Sequence, residues 1–454
     1  AALRTPPFRE LHPRYHRKPP EARNATVRGE RQVIDAGENR SVPTTKDHIA
    51  SGGVIGSHVL QHMYGHGFFV LLTAMYSTLG LNPVSAGLVG TIRALGSGTA
   101  STIGGVLIDR FQHRRLAILY LSMGTMGIGY MLIGLSPTYL LILVALAFTA
   151  GAGSIWHPAA RSLLSQIYPQ RRGFMISADR SAGSVGDTIG PLAAGALLAY
   201  ITWQQIYMLA LPMALGIVVF LWLVLRRAET YQRLGAKKQE VEPRSLKEQL
   251  IALKVVLKSS GNILTLLLSV KAVAGFGQGG LLLWVPLYLS EDQGMSTFAV
   301  GVHVALLTGM GIATGPAFGW LSDHRGRVPV ILIVLSGKAI IAGLLAVFGT
   351  GVMLSILIAA LGAFMFGVNS LIQAWALDLV DGRRLEGTMM GTMHGVNMIF
   401  QGLAPLVVGF VVAAFGFSSL FIYVASMNGV GLLLMLALLS VFTRGVRKAG
   451  RAER

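Results

Sequence analysis

The sequence predicts an all-α polytopic membrane protein, with twelve transmembrane helices in two pseudo-symmetric six-helix bundles. Three observations support this fold class. Apolar runs of about 18 residues or more recur along the chain, basic residues fall in every second connection, and a set of landmarks repeats at one fixed spacing. Only 13% of the 454 residues are charged and 53% are hydrophobic. Because a soluble globular protein carries about 25% charged residues, this composition excludes a soluble enzyme.

Apolar runs bounded by clusters of Gly, Pro, Asn and Ser define the transmembrane elements in chain order. A helix that crosses the hydrocarbon core needs about 20 predominantly apolar residues, and each run is long enough. Residues 1–48 are rich in Arg and Pro without apolar periodicity, and they are predicted to form a disordered cytoplasmic arm. The predicted spans are 52–79, 85–108, 115–134, 138–167, 174–200, 204–225, 262–289, 297–321, 329–348, 352–379, 388–414 and 419–442.

Lysine and arginine mark one side of the predicted membrane. They cluster at 109–115, 169–173, 225–259, 322–327, 381–387 and 443–454, whereas intervening turns such as "GLNPV", "SPTY" and "SEDQGMS" contain neither. Cytoplasmic loops collect these residues, so both termini and the long middle loop are predicted to be cytoplasmic. Nucleic-acid binding is the alternative interpretation of the net charge of +18, and the alternation with apolar spans disfavours it.

The two halves of the chain align at a constant offset. The predicted domains are therefore a bundle at 49–226, a cytoplasmic linker at 227–260, a second bundle at 261–443 and a cytoplasmic tail at 444–454. Two parallel repeats around a midplane site form a transporter architecture. Five pairs of landmarks all differ by 214 in residue number: Gly87 and Gly301, Asp109 and Asp323, Gly173 and Gly387, Pro191 and Pro405, and Gly195 and Gly409.

Two copies of one motif follow spans two and eight, in "GGVLIDRFQHRR" and "FGWLSDHRGRV". Here the sequence resembles the major facilitator superfamily, whose inner-loop signature runs Gly-x-Leu-x-Asp-Arg-x-Gly-Arg-Arg. Gln112, His113 and His324 depart from that signature. An acid at this turn can meet basic loop residues or a helix N-terminus and hold the cytoplasmic side in one state. The predicted latch residues are Gly105, Asp109, Arg110, Arg114, Gly319, Asp323 and Arg327.

Span five contains "SAGSVGDTIGPLAAG", in which small residues allow close helix approach. The predicted packing residues are Gly186, Gly190, Pro191 and Gly195. The run resembles the Gly-Pro motif of major-facilitator drug:proton antiporters, which favours export. With "GAGSIWHPAARSLL" in span four, it is similar to the fosmidomycin-resistance-type exporters. Members of that group tend to carry an acid in span one near the position of His62, and this chain has no acid in that span.

Ionisable side chains at membrane depth are costly and are candidates for function. Asp187 lies near the middle of span five, and we predict that it carries the proton, with a structural salt bridge as the alternative. His58, His62 and His66 recur every four residues and therefore share one helical face. With Asp179 they are predicted to relay protons or contact substrate, and packing hydrogen bonds and a metal site stay open as alternatives. No acidic ligand lies on that helix and the chain has no cysteine, so neither a metal site nor a cofactor is predicted.

Buried cations suggest the charge of the substrate. Arg93, Arg180, Lys271 and Lys338 outnumber the two deep acids, which favours an anionic substrate if these cations line the cavity. The alternative is that they pair with acids or with backbone carbonyls. The repeat places Arg180 opposite His394 and Asp187 opposite Gln401, so these positions are predicted to face the cavity. The other predicted substrate contacts are His157, Trp375 and Asn397.

The predicted function is a proton-coupled secondary transporter that exports a small organic molecule by alternating access. Its expected partners are the substrate, protons and the lipid bilayer, and it is expected to be a monomer in the bacterial inner membrane. Proton-coupled uptake of an organic anion is the first alternative, and a non-transporting receptor of the same fold is the second. An enzyme is not expected, since no nucleotide-binding glycine loop follows a strand.

Overall fold

The structure is a computed structural model, and it describes residues 43–111, 114–227, 264–378 and 386–452. Within the helices, the side chains at 102–110, 166, 169, 172, 377, 386–388, 390–391 and 441–452 are outside that description. Most of the predicted cytoplasmic arm and almost all of the predicted linker at 227–260 therefore lie outside the described residues. Residues from Pro43 onward form one compact unit.

The described residues fold into twelve helical spans, α1–α12, and contain no strand. This confirms the predicted all-α fold class. Two spans are interrupted: α7 includes a helix at Leu281–Leu287 and a π-helical turn at Tyr288–Asp292, and α10 breaks at Phe366. The bounds are α1 Thr45–Thr78, α2 Pro83–Arg110, α3 Arg115–Leu135, α4 Tyr139–Ile167, α5 Arg172–Leu197, α6 Trp203–Leu225, α7 Leu264–Asp292, α8 Thr297–Arg325, α9 Arg327–Phe348, α10 Gly351–Met365 with Gly367–Asp378, α11 Glu386–Phe415 and α12 Ser419–Ala452.

Nine of these spans are long and apolar enough to cross a membrane, counted over the described residues. The three that fall short are α1, α2 and α5. They carry the clustered histidines, Arg93 and both deep aspartates. Their low hydropathy therefore follows from polar side chains at membrane depth, where such residues usually face the interior of a bundle.

The start of α1 differs from the prediction. The helix begins at Thr45, inside the stretch assigned to the disordered arm. Thr44 and Asp47 form a capping box, in which each side chain accepts a hydrogen bond from the other residue's backbone N–H. The box satisfies N–H groups that the first turn leaves free, and it stabilises a helix start that apolar periodicity does not reveal.

Contacts between helix ends place the turns without lysine or arginine on one side of the molecule. Trp203 Nε1 donates to Thr78 Oγ1 at 2.9 Å, which joins the start of α6 to the end of α1. The Tyr139 hydroxyl donates to the Ser85 carbonyl at 2.7 Å, which joins the starts of α4 and α2. We call this side the uncharged-turn side and the opposite one the basic side.

The N-terminal half (α1–α6) and the C-terminal half (α7–α12) meet mainly through two helix pairs, α2 with α11 and α5 with α8, and α1 adds smaller contacts with α7 and α8. Backbones approach so closely there that a Cβ built on Gly87 or on Gly301 would lie 2.5 Å from the carbonyl oxygen of Pro405 or Pro191. Nothing lies within 4 Å of a Cβ built on Gly315, further toward the basic side on α8. Among the described residues, the close backbone approaches between the halves at Gly87 and Gly301 therefore lie at the uncharged-turn side.

The predicted bundle boundaries at 49–226 and 261–443 stay a prediction. The helix contacts described above concern which elements touch, and they do not divide the compact unit into two domains.

Candidate functional site

A cavity of about 380 Å³ lies between the two halves. This volume is within the range of pockets that hold small organic molecules. Asp187 is the one carboxylate among the described lining residues. The polar lining residues are Gln61, His62, His66, Arg93, Ser97, Tyr130, Thr149, Ser154, His157, Asp187, Gln278 and Gln401, and the apolar ones include Phe69, Met126, Leu146, Leu282, Leu283, Phe366 and Met398.

The Asp187 carboxylate joins α5 to two histidines of α1. One of its oxygens, Oδ1, lies 2.6 Å from His62 Nδ1 and 2.5 Å from His66 Nδ1. Both rings point the same way because residues four apart share a helical face. The missing side chains of Gly186 and Gly190 allow this contact: a Cβ on Gly186 would lie 2.7 Å from His62 Cβ, and one on Gly190 would meet the backbone of α1.

Asp179, whose side chain is fully buried, forms a second cluster on the basic side of the first. His58 Nδ1 lies 2.8 Å from both the carbonyl oxygen and the Oδ1 atom of Asp179. Arg161 Nε donates to Asp179 Oδ2 at 3.3 Å. The ring of His58 is 4.5 Å from that of His62 and 5.0 Å from that of His157, centroid to centroid. Imidazole rings therefore run without a break from Asp179 to Asp187.

The histidines have the residue types and spacing of a transition-metal site. The possible ligand atoms of His58, His62 and His157 lie within 4.8 Å of one another, as do those of His62, His66 and Asp187. Helix α5 supplies the acid that the predicted first span, 52–79, lacks. The nitrogens of His62 and His66 that face Asp187 form hydrogen-bonded contacts with it, and we treat the group as a hydrogen-bonded cluster.

Arg93 brings a positive charge to the cavity from α2. Its Nη2 atom donates to the Gly65 carbonyl at 2.7 Å, and its guanidinium carbon lies 4.9 Å from the ring centroids of Phe68 and Phe69. A guanidinium held by one hydrogen bond and two aromatic faces keeps further N–H groups for an acceptor.

The C-terminal half contributes amides rather than charges. Lys271 Nζ donates to Asn369 Oδ1 at 2.8 Å, and Asn369 Nδ2 donates to Gln278 Oε1 at 2.7 Å. On α11, Asn397 Nδ2 donates to Gln401 Oε1 at 2.6 Å. Gln278 and Gln401 line the cavity, whereas Lys271 is buried behind them.

The structure brings some of the predicted site residues to the cavity and leaves others away from it. Asp187 and Gln401, paired by the repeat, both line it, while Arg180 and His394 are exposed and do not. Lys338 is fully buried, and its Nζ has no hydrogen-bond partner among the described residues. The predicted residues in the lining are His62, His66, Arg93, His157, Asp187 and Gln401, and those outside it are His58, Asp179, Arg180, Lys271, Lys338, Trp375, His394 and Asn397.

Sequence reasoning missed several uncharged polar lining residues, and Gln278 is the one with the clearest signal. It stands in the apolar run of α7, and an amide at membrane depth needs hydrogen-bond partners much as an ionisable group does. The prediction considered mainly charged side chains, so this residue was not selected. Gln61, Ser97, Tyr130, Thr149 and Ser154 were missed in the same way.

The second copy of the inner-loop motif forms an ion-pair cluster on the basic side. Arg327 pairs with Asp323, and its Nε donates to Asp378 Oδ2 at 3.1 Å. The cluster ties together the ends of α8, α9 and α10. In the first copy Arg114 is exposed, and its side chain makes no capping hydrogen bond to the helix that follows it. Gly105, Asp109 and Arg110 lie where the side chains are outside the described residues.

Comparisons with known proteins agree with this architecture. The family model described as Major Facilitator Superfamily matches residues 55–393. The cis,cis-muconate transport protein of Acinetobacter baylyi is 24% identical over 377 residues, 78% of this chain and 88% of the relative. The putative niacin/nicotinamide transporter of Bacillus subtilis is 26% identical over 348 residues, 75% of this chain and 82% of the relative.

Two solved structures are similar in fold. The nucleoside transporter NupG (D323A mutant) superposes with a TM-score of 0.73 at 12% identity, covering 86% of this chain and 99% of that one. A bacterial homolog to the human lysosomal transporter Spinster gives a TM-score of 0.67 at 16% identity, covering 87% and 96%. These two structures show the fold alone. The family model and the relatives support the broad family and do not support the narrower drug-exporter group expected from the motifs.

Proposed function

The chain belongs to the Major Facilitator Superfamily, and on this premise we propose that it carries a small organic anion across a membrane together with protons. The proposal rests on one observation: the cavity between the halves holds a carboxylate in contact with two histidines and, in the same lining, a guanidinium. Alternating access would expose this cavity to each side in turn.

Protons are the proposed coupling ions. Asp187, His62 and His66 are acid–base groups within direct hydrogen-bonding distance, so a proton can be taken up or released with little movement of the chain. His58 and Asp179 continue the series of titratable groups toward the basic side. They would connect the cluster to the compartment that the cavity faces.

An anion is the proposed substrate because the lining offers donors. Arg93 supplies a guanidinium, and Gln278 and Gln401 supply amides. The relative named as a cis,cis-muconate transport protein supports the same class, since muconate is a carboxylate. The name of the second relative covers niacin, a carboxylate, and also the neutral nicotinamide. The drug substrate suggested by the Gly-Pro motif has no comparable support.

Electrostatics favours movement of the anion and the proton in the same direction. The negative charge of Asp187 repels an anion in the same cavity, and a proton on the cluster removes that repulsion. Anion and proton therefore bind cooperatively, as a symporter requires. Export with counter-moving protons, which the Gly-Pro motif favours, instead requires the two to exclude each other, as a cationic substrate would.

We propose that the protein lies in a bacterial inner membrane with its basic connections in the cytoplasm. In this orientation the cavity would open to the cytoplasm. A monomer stays the expected working unit.

Proteoliposomes with a pH-sensitive dye inside test the function. We would add cis,cis-muconate, nicotinate and a neutral nicotinamide control outside, and follow the internal pH without an imposed gradient. Symport predicts that an entering anion acidifies the interior. Asp187→Asn is expected to abolish the acidification, while Asp292→Asn, at an exposed turn, is the matched control.

The outcomes separate the candidates. Alkalinisation during substrate entry would establish antiport and return export to first place. Unchanged acidification in Asp187→Asn would remove that residue from coupling. Absence of flux with any compound would favour a non-transporting protein of this fold.

A further inference from the structure

The wall that the C-terminal half gives to the cavity has no charged side chain among its described residues. Its polar members are the amides of Gln278 and Gln401. Behind Gln278 lies Lys271, which is only 2% exposed and does not reach the cavity. A series of hydrogen bonds connects this buried cation to the cavity surface, and its direction determines what Gln278 presents to a ligand.

Lys271 fixes that direction. An ammonium group has three donors and no acceptor, so the atom of Asn369 that lies 2.8 Å from Nζ must be the amide oxygen. The amide nitrogen of Asn369 then faces Gln278, and the Gln278 atom 2.7 Å away must be its oxygen. The orientation of an amide is ordinarily uncertain, but a lysine at the end of the series leaves a single consistent arrangement.

The consequence is that Gln278 turns its NH₂ group away from Asn369 as a free donor. No hydrogen bond from this nitrogen to a described residue is present, and the side chain lines the cavity. Each bond in the series polarises the next, so the positive charge of Lys271 strengthens the N–H donors of Gln278.

We infer that Gln278 is a binding residue for the substrate carboxylate, and that Lys271 and Asn369 are positioning residues that hold its NH₂ group toward the cavity. The inference rests on the proposed anionic substrate. A direct contact with lysine would form an ion pair that holds the carboxylate tightly. A neutral N–H donor binds the carboxylate without forming such an ion pair. With this inference, the role expected for Lys271 changes from direct contact with the substrate to positioning of Gln278.

Binding measurements on the purified full chain test this assignment. We would titrate wild type, Gln278→Leu, Gln278→Glu and Lys271→Met with cis,cis-muconate and nicotinate, and use nicotinamide as the neutral comparison. Gln278→Leu is expected to weaken carboxylate binding at least about tenfold, equivalent to about 1.4 kcal/mol. The same substitution is expected to weaken nicotinamide binding less, because a neutral acceptor forms a weaker hydrogen bond than a carboxylate does.

Two further variants guard against misfolding. Gln278→Glu keeps an acceptor for Asn369 but presents no N–H, so it is expected to weaken carboxylate binding even where Leu disturbs folding. Gln293→Leu, the same type of change at a turn outside the cavity, is the control and is expected to leave the Kd unchanged.

A double-mutant cycle separates positioning from direct contact. If Lys271 acts through Gln278, Lys271→Met weakens carboxylate binding alone but adds nothing in the Gln278→Leu background. Lys271→Arg, which keeps the donors, is expected to restore most of the affinity. Additive losses would mean that Lys271 binds the substrate itself and would overturn the relay.

Two other results would contradict the inference. Unchanged carboxylate affinity in both Gln278 variants would remove the residue from the binding site while leaving the proposed transport intact. Failure of the wild type to bind either carboxylate would overturn this assignment together with the anionic substrate class. Proton flux driven by a neutral or cationic compound would then still identify a transporter.

Discussion

The Oδ1 atom of Asp187 contacts a ring nitrogen of two histidines, with Nδ1 of His62 at 2.6 Å and Nδ1 of His66 at 2.5 Å. The carboxylate and the two imidazole rings together form a cluster of three acid–base groups, and the net charge of the cluster depends on how many protons it holds. Arg93 from α2 lines the same cavity and contributes a positive charge, and His157 from α4 adds a further imidazole ring. The charge felt by an anion is thus set jointly by these five side chains.

The first prediction is that anion binding strengthens as the pH falls, because a proton on the cluster weakens its repulsion of an anion. Protons added to the cluster remove negative charge or add positive charge, and both changes favour an anion. Isothermal titration calorimetry with cis,cis-muconate at a series of pH values measures the effect. Asp187→Asn is expected to flatten the dependence, and nicotinamide binding is expected to vary little. An anion Kd that is independent of pH in the wild type would contradict the cooperative model.

Lys338 gives a second prediction at the residue scale. It is 0% exposed, and Nζ has no hydrogen-bond partner among the described residues. Because an unpaired buried polar group costs about 1–3 kcal/mol, we expect Lys338→Met to raise the free energy of unfolding and hence the Tm in detergent.

Lys271→Met is the matched control, because Lys271 is buried with Asn369 as its partner and should lose stability on the same substitution. Transport by Lys338→Met is expected to remain, since Lys338 does not line the cavity. Loss of transport with a normal Tm would assign Lys338 to function after all.

At the scale of the element, the pairing of α1 with α5 depends on glycine. A Cβ on Gly190 would meet the Met63 carbonyl group, with the carbonyl carbon at 2.9 Å. One turn away, Gly186 faces His62. Small residues at four-residue spacing allow two helices in a membrane to pack backbone to backbone, and here that packing brings the histidines to Asp187.

The third prediction is that Gly190→Ala destabilises the protein by about 1–3 kcal/mol, because overpacking forces α1 and α5 apart. Since the same separation lengthens the His62–Asp187 contact, substrate-driven proton flux is expected to fall as well. Thermal unfolding and the dye assay measure the two effects.

Gly216→Ala on α6 is the control, because no atom lies within 4 Å of its added Cβ. It is expected to be neutral or slightly stabilising, as alanine favours a helix. Equal Tm values for the two variants would show that the close approach at Gly190 is not required.

At the scale of the whole molecule, the contacts between the halves follow the internal repeat. A Cβ on Gly87 would lie 2.5 Å from the Pro405 carbonyl, and the equivalent Cβ on Gly301 would lie 2.5 Å from the Pro191 carbonyl. Gly195 and Gly409 meet the carbonyls of Thr297 and Pro83 in the same reciprocal manner. Three of the five paired landmarks in the sequence are therefore at the points where the uncharged-turn side is closed.

The fourth prediction is that Gly301→Val opens this side by preventing closure of α8 on α5. The chain has no cysteine, so a single Ala150→Cys reporter in the cavity has no labelling background. In oriented vesicles, a membrane-impermeant maleimide is expected to label the reporter faster from the uncharged-turn side when Gly301→Val is present.

Gly315→Val on the same helix is the control, since its added side chain meets nothing within 4 Å at Cβ. In the wild type, we expect labelling to be faster from the basic side than from the uncharged-turn side. If Gly301→Val does not alter sidedness, these close approaches do not act as a gate.

The sequence by itself determined the twelve spans, the two types of connection and the equivalence of the halves. Hydropathy, charge distribution and a constant offset are properties of the chain that need no knowledge of packing. The constant offset also pairs Asp187 with Gln401, and both residues line the cavity.

Only the tertiary structure decided which polar groups meet. Asp187 contacts His62 across 125 positions in the chain, and the rotation of each helix about its axis determines that contact. The same rotation turns Lys271 toward Asn369 and leaves Gln278 to the cavity. Spacing along one helix predicts which residues share a face, but the neighbour of that face is chosen by packing between helices distant in sequence.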